Sequence, residues 1–220
     1  MNLHSGVCFV KIELTKREVG GTMEERIFHR IAHQYDSDAQ IQLTEKIAEE
    51  IRAFMTPAHR LLDYGCGTGL VGLQFADDVD QLILADAENE MLKIVQQKIT
   101  SLDLKNAETM QLNVVEDSLP DIQVDTIIMS LVMLHVSDTQ ALLNQLFKLL
   151  QPGGQILIAD FNQNDKVSHP LIHSGFTHET VKEKMEKAGF NKPSIHTFYQ
   201  GEKLFMNQDA SLFLAHATKP

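Results

Sequence analysis

Residues 61–70 read Leu61-Leu62-Asp63-Tyr64-Gly65-Cys66-Gly67-Thr68-Gly69-Leu70. An apolar run here ends in an acid and passes into three alternating glycines. This pattern predicts a buried strand followed by a tight turn, because glycine has no Cβ atom and adopts backbone angles that other residues avoid. A helix opening after such a turn would direct its free N–H groups toward a ligand. The stretch therefore predicts a nucleotide-like cofactor bound close to the backbone.

The composition is that of an ordinary globular protein, with 220 residues, 43% of them apolar and 22% charged. The 19 basic and 30 acidic residues give a net charge of −11, which disfavours unaided binding of nucleic acid. Cys8 and Cys66 are too few for a disulfide framework, and reduced thiols fit a cytoplasmic location. No apolar run approaches the roughly 20 residues of a membrane-spanning helix, so no membrane partner is expected.

The first 22 residues differ from the rest because they show no sustained periodicity. One interpretation is that Met23 is the true start and that residues 1–22 are an extension from a misassigned start. The alternative is a short extra strand around Val7–Leu14. From Met23 the apolar spacing predicts two helices that break at residues 35–38. The second helix has Ile41, Ile47, Ile51 and Phe54 as its apolar positions and ends at Thr56-Pro57. Residues 23–220 are predicted to form one domain, in which residues 23–56 are a helical lid.

From residue 60 onward, strand and helix patterns alternate. The predicted strands are Arg60–Tyr64, Gln81–Ala85, Glu108–Leu112, Asp125–Ser130 and Gln155–Asp160, followed by a closing pair, Ser194–Tyr199 and Ser211–Ala217, joined by a polar loop. The predicted helices are Leu70–Ala76, Glu88–Leu102, Thr139–Leu150 and Thr177–Ala188, with a turn at Pro152-Gly153-Gly154. Such alternation predicts a parallel sheet with helices on both faces.

Two cofactor classes bind a glycine turn of this kind. A dinucleotide turn needs its third glycine one position after Gly69, where this chain has Leu70. Asp63, two residues before the first glycine, would repel a pyrophosphate and attract an α-amino group. The pattern therefore favours an amino acid attached to a nucleoside and argues against a dinucleotide oxidoreductase.

Residues 63–69 resemble the first motif of the class I S-adenosylmethionine-dependent methyltransferases, and the similarity extends from Met23 to Ala217. Asp86, 21 residues beyond Gly65, matches the acid that holds both ribose hydroxyls in that family. Where the family shows an acid and an apolar residue at the adenine edge, this chain has Asn113-Val114. An asparagine can accept from the adenine amino group and donate to a ring nitrogen.

The resemblance implies a three-layer α/β fold, Rossmann-like, with a seven-stranded sheet that is mostly parallel and has an antiparallel last strand. It also implies S-adenosyl-L-methionine as cofactor and S-adenosyl-L-homocysteine as product. Met91 matches a residue that packs near the adenine in that family, and the open alternative is an ordinary core position. Tyr35 matches a tyrosine of a mobile segment that covers the cofactor, and the open alternative is a simple turn residue. The cofactor-binding residues implied are Tyr35, Asp63, Gly65, Cys66, Gly67, Gly69, Asp86, Ala87, Met91, Asn113, Val114, Ser130 and Leu131.

His135 is the candidate catalytic residue, because it follows Ser130 by five positions and histidine is the commonest acid–base side chain. The alternative is a helix-entry histidine that only packs. His29 and His33 share a helix face, and His169, His173 and His178 crowd one segment, but no acid or cysteine completes a ligand set, so no metal is predicted. The resemblance makes the segment 169–176 a candidate wall of the acceptor pocket.

The expected function is transfer of a methyl group, in line, to an O, N, S or C atom of a small-molecule acceptor. One alternative is methylation of a protein or RNA site with the help of a partner. Another is a regulatory protein that binds the cofactor without turnover. The acceptor and the oligomeric state do not follow from the sequence.

Overall fold

The computed structural model describes residues 36–220. The predicted extension, the helix after Met23 and the covering residue Tyr35 lie outside the described residues. The first described helix, α1 (Asp38–Phe54), begins at a capping box: the backbone N–H of Gln40 donates to the Ser37 hydroxyl, and the Gln40 side chain accepts from the Ser37 N–H. The predicted break between the two helices therefore coincides with the start of α1.

The buried face of α1 differs in part from the predicted one. Ile47 and Ile51 are fully buried as expected, and Leu43 is buried with them. Ile41 and Phe54, which were expected on the same face, are exposed, because they lie off the stripe that runs through positions 43, 47 and 51. The buried face of α1 packs against the sheet. That residues 23–56 act as a lid stays a prediction.

Within residues 36–220, seven strands form one sheet in the order β3-β2-β1-β4-β5-β7-β6. Their bounds are β1 Arg60–Tyr64, β2 Gln81–Asp86, β3 Ala107–Gln111, β4 Val124–Ser130, β5 Leu150–Phe161, β6 Asn191–Phe205 and β7 Gln208–Thr218. The first five strands are parallel, and β7 runs antiparallel between β5 and β6. The predicted sheet with an antiparallel last strand is confirmed.

Helices cover both faces of this sheet. On one face α2 (Asn89–Ser101) packs against β2 and β3, and α1 contacts β5 and β7. On the other, α3 (Thr139–Leu149) and α4 (His178–Ala188) pack against each other. α4 ends at Ala188, as predicted, and Gly189 caps it with a left-handed φ of +105°. Within residues 36–220 no helix is both long and apolar enough to cross a membrane.

The predicted helix Leu70–Ala76 is wrong, because only a 3₁₀ turn, Gly72–Phe75, forms there. Most of its hydrogen bonds reach back three residues, as from the Gln74 N–H to the Val71 carbonyl. This segment passes so close to β1 that a Cβ atom on Gly72 would lie 2.3 Å from Oδ2 of Asp63. The tight turn therefore places the backbone directly over that carboxyl group.

Two predicted turns differ as well. Residues 152–154 do not precede β5 but form a bulge inside it, where the pairing shifts between Val124–Leu150 and Thr126–Gln155. The bulge is stabilised by the Gly153 N–H, which donates to the Lys219 carbonyl (3.0 Å).

The polar loop predicted between the closing strands is also wrong. β6 and β7 continue to a two-residue turn, Met206-Asn207, in which both residues have positive φ. This hairpin extends past the end of β5, and its Phe205 ring stacks on Phe161 with centroids 4.2 Å apart. Leu204, Phe205 and Ala210, near the tip of the hairpin, are buried.

Candidate functional site

The glycine turn lies at the edge of the sheet where the parallel strands end. It is fixed by the end of β2, since the N–H groups of Gly65 and Cys66 both donate to the Ala85 carbonyl (2.7 and 2.9 Å). The Gly69 N–H closes the turn on the Cys66 carbonyl (2.8 Å). Cys66 itself is buried, and burial raises the pKa of its thiol, so the side chain stays neutral. Ligands of open α/β sheets bind at this edge.

The three glycines of the turn all have positive φ, but they face different neighbours. A Cβ atom on Gly65 would lie 2.4 Å from a methyl group of Val132, and one on Gly69 would lie 3.0 Å from Leu73. A Cβ atom on Gly67 would meet nothing within 4 Å. Packing within the protein therefore favours glycine at positions 65 and 69, whereas Gly67 borders open space.

Asp63 ends its strand as a buried carboxyl group without a hydrogen-bond partner. The residue is 1% exposed, and neither oxygen accepts a hydrogen bond from the described residues. Burial raises the pKa of this carboxyl to about 7. The Gly72 backbone amide lies close enough to lower this pKa slightly although it does not meet hydrogen-bond geometry, and the charge of Asp86 raises the pKa further. A buried carboxylate without a partner is costly, so this position favours a ligand that brings a positive charge.

Asp86, at the end of β2, joins the glycine turn to α2. Its Oδ2 accepts the Gly67 N–H and its Oδ1 accepts the Glu88 N–H, both at 2.9 Å. A carboxylate offers about four acceptor positions, so both oxygens can still accept from two adjacent hydroxyl groups. The side chain is partly exposed, as a contact with a ligand requires.

A surface groove of about 530 Å³ runs along the ends of β2 and β3. It is lined by Ala87, Glu88, Gln111, Asn113, Glu116 and Asp117. Met91, in the first turn of α2, is only partly buried. Three of the lining residues are acidic, which favours a cationic or neutral ligand over a phosphate.

Asn113 and Val114, expected at the adenine edge, are engaged within the protein. The Asn113 side-chain oxygen accepts the Val115 N–H (3.2 Å). Val114 is fully buried, and its N–H donates to the Tyr64 hydroxyl (3.2 Å). The Tyr64 hydroxyl was missed in the sequence, although its place at the end of β1 is a signal that could have identified it.

A second group missed in the sequence connects the first described residue to the glycine turn. Asp36 accepts the Thr68 hydroxyl at Oδ1 (2.7 Å) and pairs with Lys98 at Oδ2 (2.8 Å). The Lys98 ammonium also donates to the Thr68 carbonyl (2.8 Å). Because Thr68 lies 32 positions from Asp36 and 30 from Lys98, no spacing in the sequence brings the three residues together.

The chain leaves β4 through Ser130, which is partly buried, and Leu131, which has a left-handed φ of +56°. A 3₁₀ turn, Met133–His135, follows. Part of the His135 surface is exposed, while burial of the remainder lowers the pKa of its imidazole below the ordinary 6.5. His135 is therefore neutral at neutral pH and can accept a proton.

The other histidines do not converge. His173 bonds to the Val136 carbonyl and His178 to the Asn162 side chain. In the part of the chain that the structure describes, no group of three or more His, Cys, Asp or Glu side chains is arranged to hold a metal ion. His29 and His33 lie outside that part.

Comparison with known proteins adds three findings. Residues 55–210 match a family described as "Methyltransferase domain". The chain is 26% identical over 216 residues to the ubiquinone/menaquinone biosynthesis C-methyltransferase UbiE of Vibrio cholerae, covering 80% of this chain and 83% of that protein. It also superimposes on Haemonchus contortus phosphoethanolamine N-methyltransferase 2, solved with S-adenosyl-L-methionine. That superposition has a TM-score of 0.66 and 16% identity, and covers 88% of this chain and 60% of the other.

A further solved structure with the same fold is the [4+2]-cyclase SpnF. It superimposes with a TM-score of 0.65 and 18% identity, covering 83% of this chain and 81% of that one. At this identity the likeness concerns the fold alone.

Proposed function

Because the chain belongs to the methyltransferase-domain family and is an S-adenosylmethionine-dependent methyltransferase, we propose that it methylates a small-molecule acceptor beside the turn that carries His135. One observation supports this location above all. Val132, three residues before His135, fills the space that a Cβ atom of Gly65 would take. The glycine turn and the turn after β4 are therefore in direct contact, as a donor site and an acceptor site must be.

We call the ends of β1, β2 and β3, with the glycine turn, the donor side. Its residues fit S-adenosylmethionine on two observations. Asp63 is a buried carboxyl group without a partner, suited to the α-amino group, and Gly67 borders open space at a left-handed φ. Asp86 would hold the ribose hydroxyls, with Ala87, Met91 and Asn113 near the adenine. When bound, S-adenosylmethionine supplies a methyl group on a sulfonium leaving group.

The acceptor side is formed by the ends of β4 and β5, with the turn Met133–His135. The protein's tasks there are to align the acceptor, to exclude water and to remove a proton. A neutral His135 imidazole can take that proton from a hydroxyl group of the acceptor. On a hydroxylated aromatic ring, loss of this proton increases the electron density on the neighbouring ring carbon, which then becomes nucleophilic. We propose such a carbon as the first acceptor to test, because the Vibrio relative is named a C-methyltransferase.

The experiment is a panel of acceptors with methyl-labelled S-adenosylmethionine. A reduced quinone, a catechol, a primary amine and a thiol represent the four acceptor atoms. Labelling at a ring carbon of the reduced quinone, located in the product by NMR, would support carbon as acceptor, whereas labelling of its hydroxyl groups or of another member would replace it. Binding of the cofactor without labelling of any member would favour the regulatory alternative, and labelling of added protein or RNA would favour a polymer substrate.

The role of His135 is tested by His135→Ala against His59→Ala. His59 is exposed at the opposite edge of the sheet, where it pairs with Asp80. Because the imidazole must be neutral to act, kcat/KM should fall as pH falls through a pKa below 6.5, and His135→Ala should remove this acid limb. His59→Ala should keep it. An unaltered maximal rate in His135→Ala would remove this histidine from the mechanism.

A further inference from the structure

Asp160, at the end of β5, is a buried acid that the proposed reaction does not use. The residue has no exposed surface, and among the described residues it forms no ion pair. Burial raises the pKa of its carboxyl to about 7, and neighbouring backbone amides counteract this shift. A carboxyl group in such a position lowers stability unless its oxygens accept hydrogen bonds.

The hydrogen bonds of Asp160 go to the turn after β4. One oxygen accepts the Leu134 N–H (3.3 Å), and the other accepts the N–H of its own neighbour Phe161 (2.8 Å). The Met133 amide also lies close enough to stabilise the charged form. Asp160 therefore supplies the acceptors that the first N–H groups of a 3₁₀ turn lack.

His173 binds the same turn from the segment after β5. Its backbone N–H donates to the Leu134 carbonyl (2.9 Å), and its ring donates from Nε2 to the Val136 carbonyl (3.0 Å). Both backbone groups of Leu134 are thus bound from this side of the fold, the N–H by Asp160 within β5 and the carbonyl by His173 in the segment after β5, and His135 is the next residue. The strained Leu131, with φ of +56°, lies just before this turn, so the turn depends on support from outside.

We propose that Asp160 and His173 are positioning residues that fix the turn carrying His135 against the ends of β4 and β5. Their contribution to methyl transfer rests on the proposed role of His135. A hydrophobic side chain at position 160 would lower the free energy of unfolding less than a buried carboxylate does, whereas a carboxylate can accept the N–H groups of the turn.

The test measures the turn itself, in the protein bound to S-adenosylhomocysteine. Asp160→Asn keeps the volume but turns an N–H donor toward the amides, and His173→Ala removes the ring contact while leaving Asp160 in place. Asp165→Asn is the matched control, because Asp165 is an exposed acid of the same segment. The measurements are hydrogen exchange of the Leu134 amide, the NMR titration of the His135 ring, and the affinity for S-adenosylhomocysteine.

We expect exchange of the Leu134 amide to become roughly tenfold faster in both variants, as loss of a buried hydrogen bond implies. The pKa of His135 should rise toward its ordinary value as the ring becomes more solvated. Affinity for S-adenosylhomocysteine should stay within about threefold. Unchanged exchange and an unchanged His135 titration in His173→Ala would overturn the proposal even if Asp160→Asn failed to fold.

Turnover separates this proposal from the proposed function. With the acceptor identified by the panel, both variants should lower kcat and leave the KM for S-adenosylmethionine unchanged. If His135→Ala is inactive but the Asp160 and His173 variants combine a loosened turn with wild-type kcat, the positioning role is overturned. A wild-type rate in His135→Ala would instead refute the role of the base and leave the exchange result valid for the turn.

Discussion

The donor and acceptor sides each contain a buried aspartate near the end of an apolar strand, Asp63 in β1 and Asp160 in β5. Burial raises the pKa of both carboxyl groups to about 7. They differ in their partners: Asp160 accepts backbone N–H groups, whereas Asp63 accepts none from the described residues. The same sequence pattern thus produces a completed support on one side and an incomplete site on the other. Hydrogen-bond partners within the protein, rather than burial, therefore distinguish a structural acid from one that is suited to bind a ligand.

The largest effect is expected from a substitution at Gly67, the one glycine of the donor side that borders open space. Gly67→Val should reduce affinity for S-adenosylhomocysteine about a hundredfold or more, because the side chain fills ligand space. Gly153→Val is the matched control, since Gly153 also has a positive φ and open surroundings but lies in the β5 bulge at the opposite edge. Both variants should lose about 1–3 kcal/mol of unfolding free energy from backbone strain. Calorimetry and thermal unfolding measure the two effects, and near-wild-type binding by Gly67→Val would contradict the site.

The next effect tests whether Asp86 holds the ligand as well as the turn. Asp86→Ala should weaken binding of S-adenosylmethionine by roughly 1.5–3 kcal/mol, because charged hydrogen bonds are lost. Asp80→Ala is the control, as Asp80 is an exposed acid before the same strand. Unchanged affinity in Asp86→Ala would show that the ribose lies elsewhere.

The third test concerns the two buried acids directly. Since each folded pKa of about 7 exceeds the ordinary 3.8, the folded protein holds more protons than the unfolded chain between these values. Unfolding free energy of the cofactor-free protein should therefore fall as pH rises from about 4 to 7 and level off above 7. Asp63→Asn should reduce that fall and lower affinity for S-adenosylmethionine about tenfold.

Asp63 and Asp160 should also differ in how their pKa values respond when the ligand binds. A positive charge beside Asp63 should lower the pKa of its carboxyl group, so binding near pH 6.5 should release protons from Asp63. Calorimetry in buffers of different ionisation enthalpy measures this release. It should be smaller in Asp63→Asn, and equal release in wild type and variant would show that the ligand's charge does not reach this residue.

The smallest expected effect concerns the contact between Asp36 and the glycine turn. Thr68→Val keeps the shape of the side chain and removes its hydrogen bond to Asp36, which should weaken cofactor binding about two- to fivefold. Thr109→Val, at a partly exposed position of β3, should leave binding unchanged. Equal affinities in the two variants would show that the contact only stabilises the fold.

The sequence was sufficient for the features that depend on local pattern. Apolar runs located the first five strands, and the positions of Asp63 and Asp86 followed because both end such runs. Asp160 carries the same signal, an apolar strand that ends in an acid, and it could have been identified in the same way.

Contacts between distant residues were not predictable in this manner. The bond between Tyr64 and Val114, and the pairing of Asp36 with Lys98, join segments that no periodicity relates. The helix expected at residues 70–76 also failed for a tertiary reason, because the backbone at Gly72 must pass close to the Asp63 carboxyl group.

The contact between Gly65 and Val132 also guides efforts to engineer new acceptor specificity. Any side chain at position 65 would collide with Val132, and a larger residue at position 132 would push on the glycine turn. A library aimed at new substrates should therefore hold both positions fixed while it varies exposed or partly exposed neighbours such as His135 and Ile172. Variation at position 132 would change donor affinity and acceptor choice together, so selection could not separate the two.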